Sequence, residues 1–170
     1  DDYAKIPEEM KKVAAFFKKN VLREVEEKEF FEQIPGLRSI LGDRPVLRAL
    51  HFFEEEKRVE KQVEALEEGD FQRFLELVKE SGNSSFKYLQ NIYINRDEQN
   101  QSMSVALGAS ESILQEHGVS RVHGGGFAGT IQVFVENSFV EEYRKAIDHI
   151  FGKGSCHVLK VRQVGGIKAI

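Results

Sequence analysis

The chain has a single cysteine, Cys156, no tryptophan and only three prolines in 170 residues. One thiol can neither close an internal disulfide nor build a cysteine-rich metal cluster, which fits a reducing compartment. Basic residues are outnumbered, 24 Lys and Arg against 28 Asp and Glu, so the net charge is −4 and no cationic surplus is left for a nucleic-acid backbone. Nucleic acid is therefore not an expected partner. No apolar run approaches the ~20 residues of a spanning helix, and the opening DDYAKIPEEM has neither the basic nor the apolar segment of a signal peptide. The expected location is cytoplasmic, without membrane contact. The missing initiator methionine points to an excised piece, and processing would leave the same trace. What is present is ordinary for a globular protein: 41% hydrophobic and 31% charged residues, enough for one well-cored domain or two small lobes.

The first two thirds carry a helical period. Pro7 suits a helix start, and Met10, Val13, Ala14 and Phe17 follow at i, i+3, i+4, i+7. EEKEFFEQIPGL predicts a short helix stopped by Pro35 and Gly36. Asp43 is a suitable N-cap for a long helix over 44–67, with Val46, Leu50, Phe53, Val59, Val63 and Leu66 facing inward and Gly69 ending it. Asp70 caps a second helix carrying Phe71, Phe74, Leu75 and Val78, closed by Gly82, so the pair forms a helical hairpin. SSFKYLQNIYINRDEQN suits a strand by composition and a helix by spacing, and reads as a loop with local order. From Gln99 to His117 the helical pattern returns, with Met103, Ala106, Leu107, Ser110, Ile113 and Leu114 on one face and Gly118 as C-cap.

After Gly118 the period changes. SRV leads into a glycine-rich loop, TIQVFVE alternates as a strand with Ile131, Val133 and Val135 on one face, and NSFVEEYRKAIDHIFGKG is a helix carrying Phe139, Tyr143, Ile147 and Ile150. SCHVLKVRQV predicts a closing strand. Strand, glycine loop, strand, helix, strand makes an α+β sheet with helices on one side.

Four of the fourteen glycines, Gly124, Gly125, Gly126 and Gly129, fall within six positions of that loop. The string G-x-G-x-x-G matches a dinucleotide fingerprint, but that fold needs the third glycine to open a helix, and here Gly129 opens a strand. A protein-kinase phosphate loop runs strand to strand, yet neither a V-A-I-K strand nor an H-R-D loop occurs in the chain. Two readings stay open. The cluster is a wide turn or bulge between strands, or it is a backbone without Cβ atoms that brings several N–H groups close to an anion.

RVHGGGFAGTIQVFV resembles the third signature motif of the GHMP small-molecule kinases, and among them of the galactokinases, whose motif runs approximately R-(M/V)-T-G-(G/A)-G-F-G-G. Residues 44–82 are similar to the galactokinase stretch in which an arginine-bearing helix precedes an AL-x-x-G-D turn and a helix ending in serine; the matching features are Arg48, His51, Glu54, Arg58, Val59, Ala65, Leu66, Gly69, Asp70 and Ser81. The closing SCHVLKVRQVGGIKAI resembles the family's last strand. The resemblance implies a GHMP C-terminal domain over 44–170, with a ferredoxin-like antiparallel sheet and helices packed on one side, preceded by a helical segment over 1–43. Three departures mark a divergent branch: His123 stands for the usual threonine or serine, Ala128 for a glycine, and SGNSSFKYLQ for the usual serine-histidine, serine-leucine pair.

What the resemblance implies for function is transfer of the ATP γ-phosphoryl group to a sugar hydroxyl, with Mg²⁺. Gly124, Gly125, Gly126, Phe127, Ala128 and Gly129 are then the loop beside the phosphates, with Phe127 anchoring it to the sheet. Tyr3 and His123 are carried over as substrate-side residues. The family's sugar signature, phosphate loop and catalytic aspartate and arginine belong to its N-terminal half, and none of those strings is present. The chain is thus expected to hold no catalytic residue and no metal ligand, to need that missing half as its partner, and to self-associate without it. The alternative is a non-catalytic or regulatory module of the same shape. His51, His117, His149 and His157 lack metal-ligand spacing and read as surface or structural histidines. Cys156 reads as a small apolar residue rather than a nucleophile.

Overall fold

The computed structural model describes residues 2–127 and 129–161. Six helices and a two-strand hairpin are formed among them: α1 (Asp2–Phe16), α2 (Glu27–Leu41), α3 (Asp43–Glu67), α4 (Phe71–Ser84), α5 (Ser102–Leu114), β1 (Gly118–Val122), β2 (Ile131–Val135) and α6 (Val140–Phe151). A 3₁₀ turn, Leu22–Glu24, follows α1, and a π-helical turn, Ser85–Leu89, extends α4. The α+β class is as expected.

The amphipathic stripes of the first three helices meet in one core. Val13 and Ala14 of α1, Phe30 and Leu37 of α2, and Val46, Ala49 and Phe53 of α3 are buried together, with Leu22 and Val25 closing the cluster. Two helices differ from expectation at their prolines. α1 begins at Asp2 and contains Pro7, and α2 runs through Pro35 and Gly36 to Leu41. A proline inside a helix forfeits one backbone hydrogen bond. Burial of Phe30 and Leu37 on either side of Pro35, with Ile34 and Leu41 packed beside them, offsets that loss.

α3 is longer than the core it serves. Its first half is buried, but Val59, Val63 and Leu66, expected to face inward, are about half exposed, and Ala65 is the buried residue near its end. Asp43 does not cap the helix; its carboxylate accepts from Arg38 Nε at 2.6 Å, and Gly42 occupies the N-cap. Asp70 does cap α4, accepting from the Arg73 N–H at 2.9 Å. Gly82 does not end α4 but lets it approach β1, where an added Cβ would lie 3.0 Å from the Arg121 Cβ.

β1 and β2 pair antiparallel, with Gly118 opposite Val135 and Val122 opposite Ile131. Gly118, expected as a helix cap, is a strand residue, and a Cβ on it would meet the Phe134 carbonyl oxygen at 2.2 Å. Cross-strand partners share a face of the hairpin. α4 lies on the Val119/Phe134 face, with Phe74 edge-on to Phe134 at 5.6 Å. On the opposite face Val133 and Val135 pack with Leu114, Tyr143 and Ile147, and Val122 packs with Ile92 and Met103. Ile150 is half exposed on the outside of α6. The expected closing strand over 155–164 is not formed by residues 155–161, where Leu159 and Val161 are more than four-fifths exposed; the rest of that stretch lies outside the described residues.

Candidate functional site

The glycine loop spans residues 123–130, between the last pair of β1 and the first of β2. His123 N–H donates to the Thr130 carbonyl at 3.2 Å and closes its base. Gly124, Gly126 and Gly129 have φ of +63°, +75° and +79°, a region that glycine enters without the cost a Cβ brings. Phe127 is also left-handed, at φ +54°, and its N–H donates to the Asn91 carbonyl at 2.9 Å. The Gly129 N–H points to the Met103 sulfur at 3.1 Å. Three N–H groups of the segment are thus used within the protein, and the loop is docked on residues 91 and 103 rather than standing free.

The sequence-derived residues come together in part. Tyr3, at the start of α1, lies against Gly125: a Cβ there would be 2.2 Å from the ring. Gly126 is buried against Asn91, while His123, Gly124 and Gly125 are exposed. Ala128 lies outside the described residues.

Beside the loop is a cleft of about 160 Å³ with Phe127 in its wall. Its other walls carry Lys5, Arg44, Arg48, Arg96 and Asp2, brought from α1, the first turns of α3 and the segment after α4. Sequence reading did not single out this cationic wall, apart from Arg48 as a family feature. The available signal was the i, i+4 spacing of Arg44 and Arg48 on one helix face.

The arginines are fixed by a buried carboxylate. Glu9 accepts from Arg44 Nε at 3.0 Å and from Arg48 Nη1 at 2.8 Å, while Arg48 Nε donates to the Leu89 carbonyl at 3.1 Å. The hydrogen bond to Glu9 raises the Arg44 pKa, whereas burial is the main influence lowering that of Arg48. Asp2 accepts from Lys5 at 3.2 Å and from Arg96 at 3.0 Å; the Lys5 bond foremost holds its carboxyl below the usual range. Four cations against two carboxylates leave the cleft positive, which suits an anionic group.

The remaining candidates sit elsewhere. His51 is buried in the α3–α4 interface with Nδ1 2.9 Å from Ser84 Oγ, and burial first, then the charges of Arg58 and Arg121, bring its pKa down to about 4. His117 pairs with Glu136 at 2.9 Å and stacks on Phe139. Cys156 is half-buried behind α6, where burial raises its thiol pKa. Among the described residues no three His, Cys, Asp or Glu side chains gather as a metal site, and no helix is long and apolar enough to cross a membrane.

No protein-family model matches the chain. It is similar to the galactokinase of Glaesserella parasuis, 32% identical over 152 residues that cover 89% of this chain and 38% of that protein. It is also similar to the galactokinase of Thermotoga maritima, 34% identical over 161 residues, 88% of this chain and 41% of that one. In fold it is similar to Lactococcus lactis galactokinase complexed with galactose, with a TM-score of 0.63 at 22% identity over 88% of this chain and 36% of that one. The chain thus spans about two fifths of the length of the curated relatives it matches.

Proposed function

We propose, from the premise that the chain is galactokinase-like in sequence and in fold, that it is the C-terminal part of an ATP-dependent sugar kinase. The reaction is ATP plus galactose to ADP plus galactose 1-phosphate, and the polypeptide preceding this chain is its obligatory partner. The observation that carries the reading is the cationic cleft of Lys5, Arg44, Arg48 and Arg96 against the glycine loop. Phosphoryl transfer depends chiefly on positioning and on neutralising charge. These side chains fit the phosphates of ATP, and Glu9, by holding Arg44 and Arg48 in place, fixes that wall in advance. Gly124 to Gly129 form the rim of the site, with Tyr3 and His123 on the substrate side. Mg²⁺, when bound, neutralises phosphate charge; its ligands belong to the preceding half, as does the group that accepts the sugar proton.

The reading expects cytoplasmic residence and no nucleic-acid or membrane partner. Alone, the chain phosphorylates nothing, because effective molarities worth ~7–11 kcal/mol vanish when the groups facing the loop are missing. The test is ADP release from ATP, Mg²⁺ and galactose, by this chain and by the polypeptide extended upstream, each against a no-protein control. Activity of the extended form alone is expected. Activity of the chain alone would place a base within it, with His123 the first residue to replace.

A second reading, a regulatory module that keeps the shape without turnover, is favoured by the loop N–H groups of Phe127 and Gly129 being used internally. Inactivity of the extended form, with galactose binding retained, would select it.

A further inference from the structure

Two carboxylates neutralise the cationic wall of the loop-side cleft, and they are placed differently. Glu9, with a tenth of its side chain exposed, is not part of the lining; it ties Arg44 to Arg48 from behind. Asp2 is the one carboxylate in the lining among the described residues. One of its oxygens accepts from Lys5 Nζ at 3.2 Å and the other from Arg96 Nη2 at 3.0 Å. The side chains of Asp2, Lys5 and Arg96 are 20%, 42% and 68% exposed, so all three have surface open to a ligand.

Asp2 and Lys5 are three residues apart on α1 and share a helix face, whereas Arg96 comes from 94 positions away, on the segment after α4. A carboxylate held between two cations from distant parts of the chain has the place and the charge of an anionic ligand. Its charge reaches the rest of the wall as well, favouring the cationic forms of Arg44 and Arg48. Exposed ion pairs are weak, because water solvates both partners. The Asp2 carboxylate is tethered, however, and acts at a high effective concentration. A free carboxylate offers the same charge and the same two oxygens, and gains nothing by replacing it. A phosphate monoester has a charge of about −1.5 to −2 and three acceptor oxygens, so it satisfies Lys5 and Arg96 and has an oxygen left for Arg44.

We propose that Asp2 is a built-in competitor for the anion position of this cleft: seated between Lys5 and Arg96, it weakens every incoming anion, so that phosphate dianions bind and singly charged anions stay below useful affinity. The inference deepens the sugar-kinase reading and rests on it for the natural ligand, the terminal phosphate of ATP. The threshold itself requires no turnover.

The test titrates the ¹⁵N-labelled chain with phenyl phosphate and with benzoate, which share a ring and differ in charge, following the amides of Lys5, Arg96 and Phe127. The unchanged chain is expected to bind phenyl phosphate saturably and benzoate without saturation. Asp2→Asn keeps the shape and removes the charge; it should tighten phenyl phosphate about tenfold, the worth of two exposed ion pairs, and bring benzoate into the saturable range. Asp2→Ala, measured beside it, should give the same gain. Glu8→Gln is the control, because it removes the same charge from a carboxylate that pairs with Lys12 and does not line the cleft; it should change either affinity less than twofold. The proposal is overturned by no saturable shift of the unchanged chain with phenyl phosphate, by equal affinity for benzoate, by no gain in the Asp2 variants, or by an equal gain in Glu8→Gln. ADP release by the polypeptide extended upstream judges the kinase reading separately. Turnover without the Asp2 gain sinks the proposal alone, and the gain without turnover sinks the reading alone.

Discussion

The ring of Tyr3 rests on Gly125, so that a Cβ there would come within 2.2 Å of it, although the two are 122 positions apart in sequence with α2 to α5 between them. The contact joins the first turn of α1 to the tip of the β hairpin. Gly125 is the loop glycine whose φ is not left-handed, so a side chain there would meet the Tyr3 ring rather than backbone strain.

Two neighbouring glycines should therefore respond differently to the same change. The nearest atoms to a Cβ in Gly125→Ala all belong to the side chain of Tyr3, which is largely exposed and can swing away, so urea unfolding should move little. Gly126→Ala meets the Asn91 carbonyl oxygen at 2.1 Å and sits at φ +75°, and should lose about 2–3 kcal/mol. On the proposed kinase reading, Gly125→Val in the polypeptide extended upstream should lower kcat with little change in melting temperature. Unchanged kcat in a stable variant would separate the loop from the chemistry.

Glu9→Ala should cost about 3 kcal/mol, because it leaves the Arg48 guanidinium buried and without its carboxylate. Replacing Glu9 and Arg48 together by Met should recover much of that loss, read from denaturant midpoints at constant m-value. Loss of ATP binding in the extended, folded double variant is the expected companion result.

His51 makes stability fall with acid. Its folded pKa, about 4, lies below the ordinary value of 6.5, so the unfolded chain takes up the proton first. The contribution is fully present above pH 6.5 and disappears as the pH falls through 4, a change of about 3 kcal/mol. His51→Gln should flatten that slope between pH 6.5 and 4.5. The exposed His117, raised chiefly by its hydrogen bond to Glu136, has the opposite sign: its contribution is present below pH 6.5 and is lost as pH rises through the raised value. Glu136→Gln should abolish that second, smaller trend.

Gly36→Ala should stabilise the chain by ~0.5–1 kcal/mol. The residue lies inside α2, and its added Cβ would make only ordinary contacts, 3.6 Å to Gln33 Oε1 and 3.7 Å to Phe16 Cζ. A thermal melt is sufficient, and a drop would mean that α2 bends at this point.

The apolar spacing of the sequence was enough to locate the six α-helices and the glycine hairpin among the described residues, though not the π-helical turn after α4, because a 3.6-residue stripe and a two-residue alternation are properties of the chain itself. Asp70 was legible as a cap for the same local reason. Where helices end was not: Pro7, Pro35 and Gly82 read as boundaries, and tertiary burial of Phe30, Leu37 and the close approach of α4 to β1 carried the helices past them. The halves of α3 could not be told apart either, since Val46 and Val59 have equal propensity and differ only in whether another helix lies opposite. The glycine loop could be found from its composition, and Tyr3 from resemblance, but not their contact. Lys5, Arg44, Arg48 and Arg96 look in sequence like solvated surface charge. Only the fold, by burying Glu9 between two of them and turning the segment after α4 beside the loop, gathers those charges into one cleft.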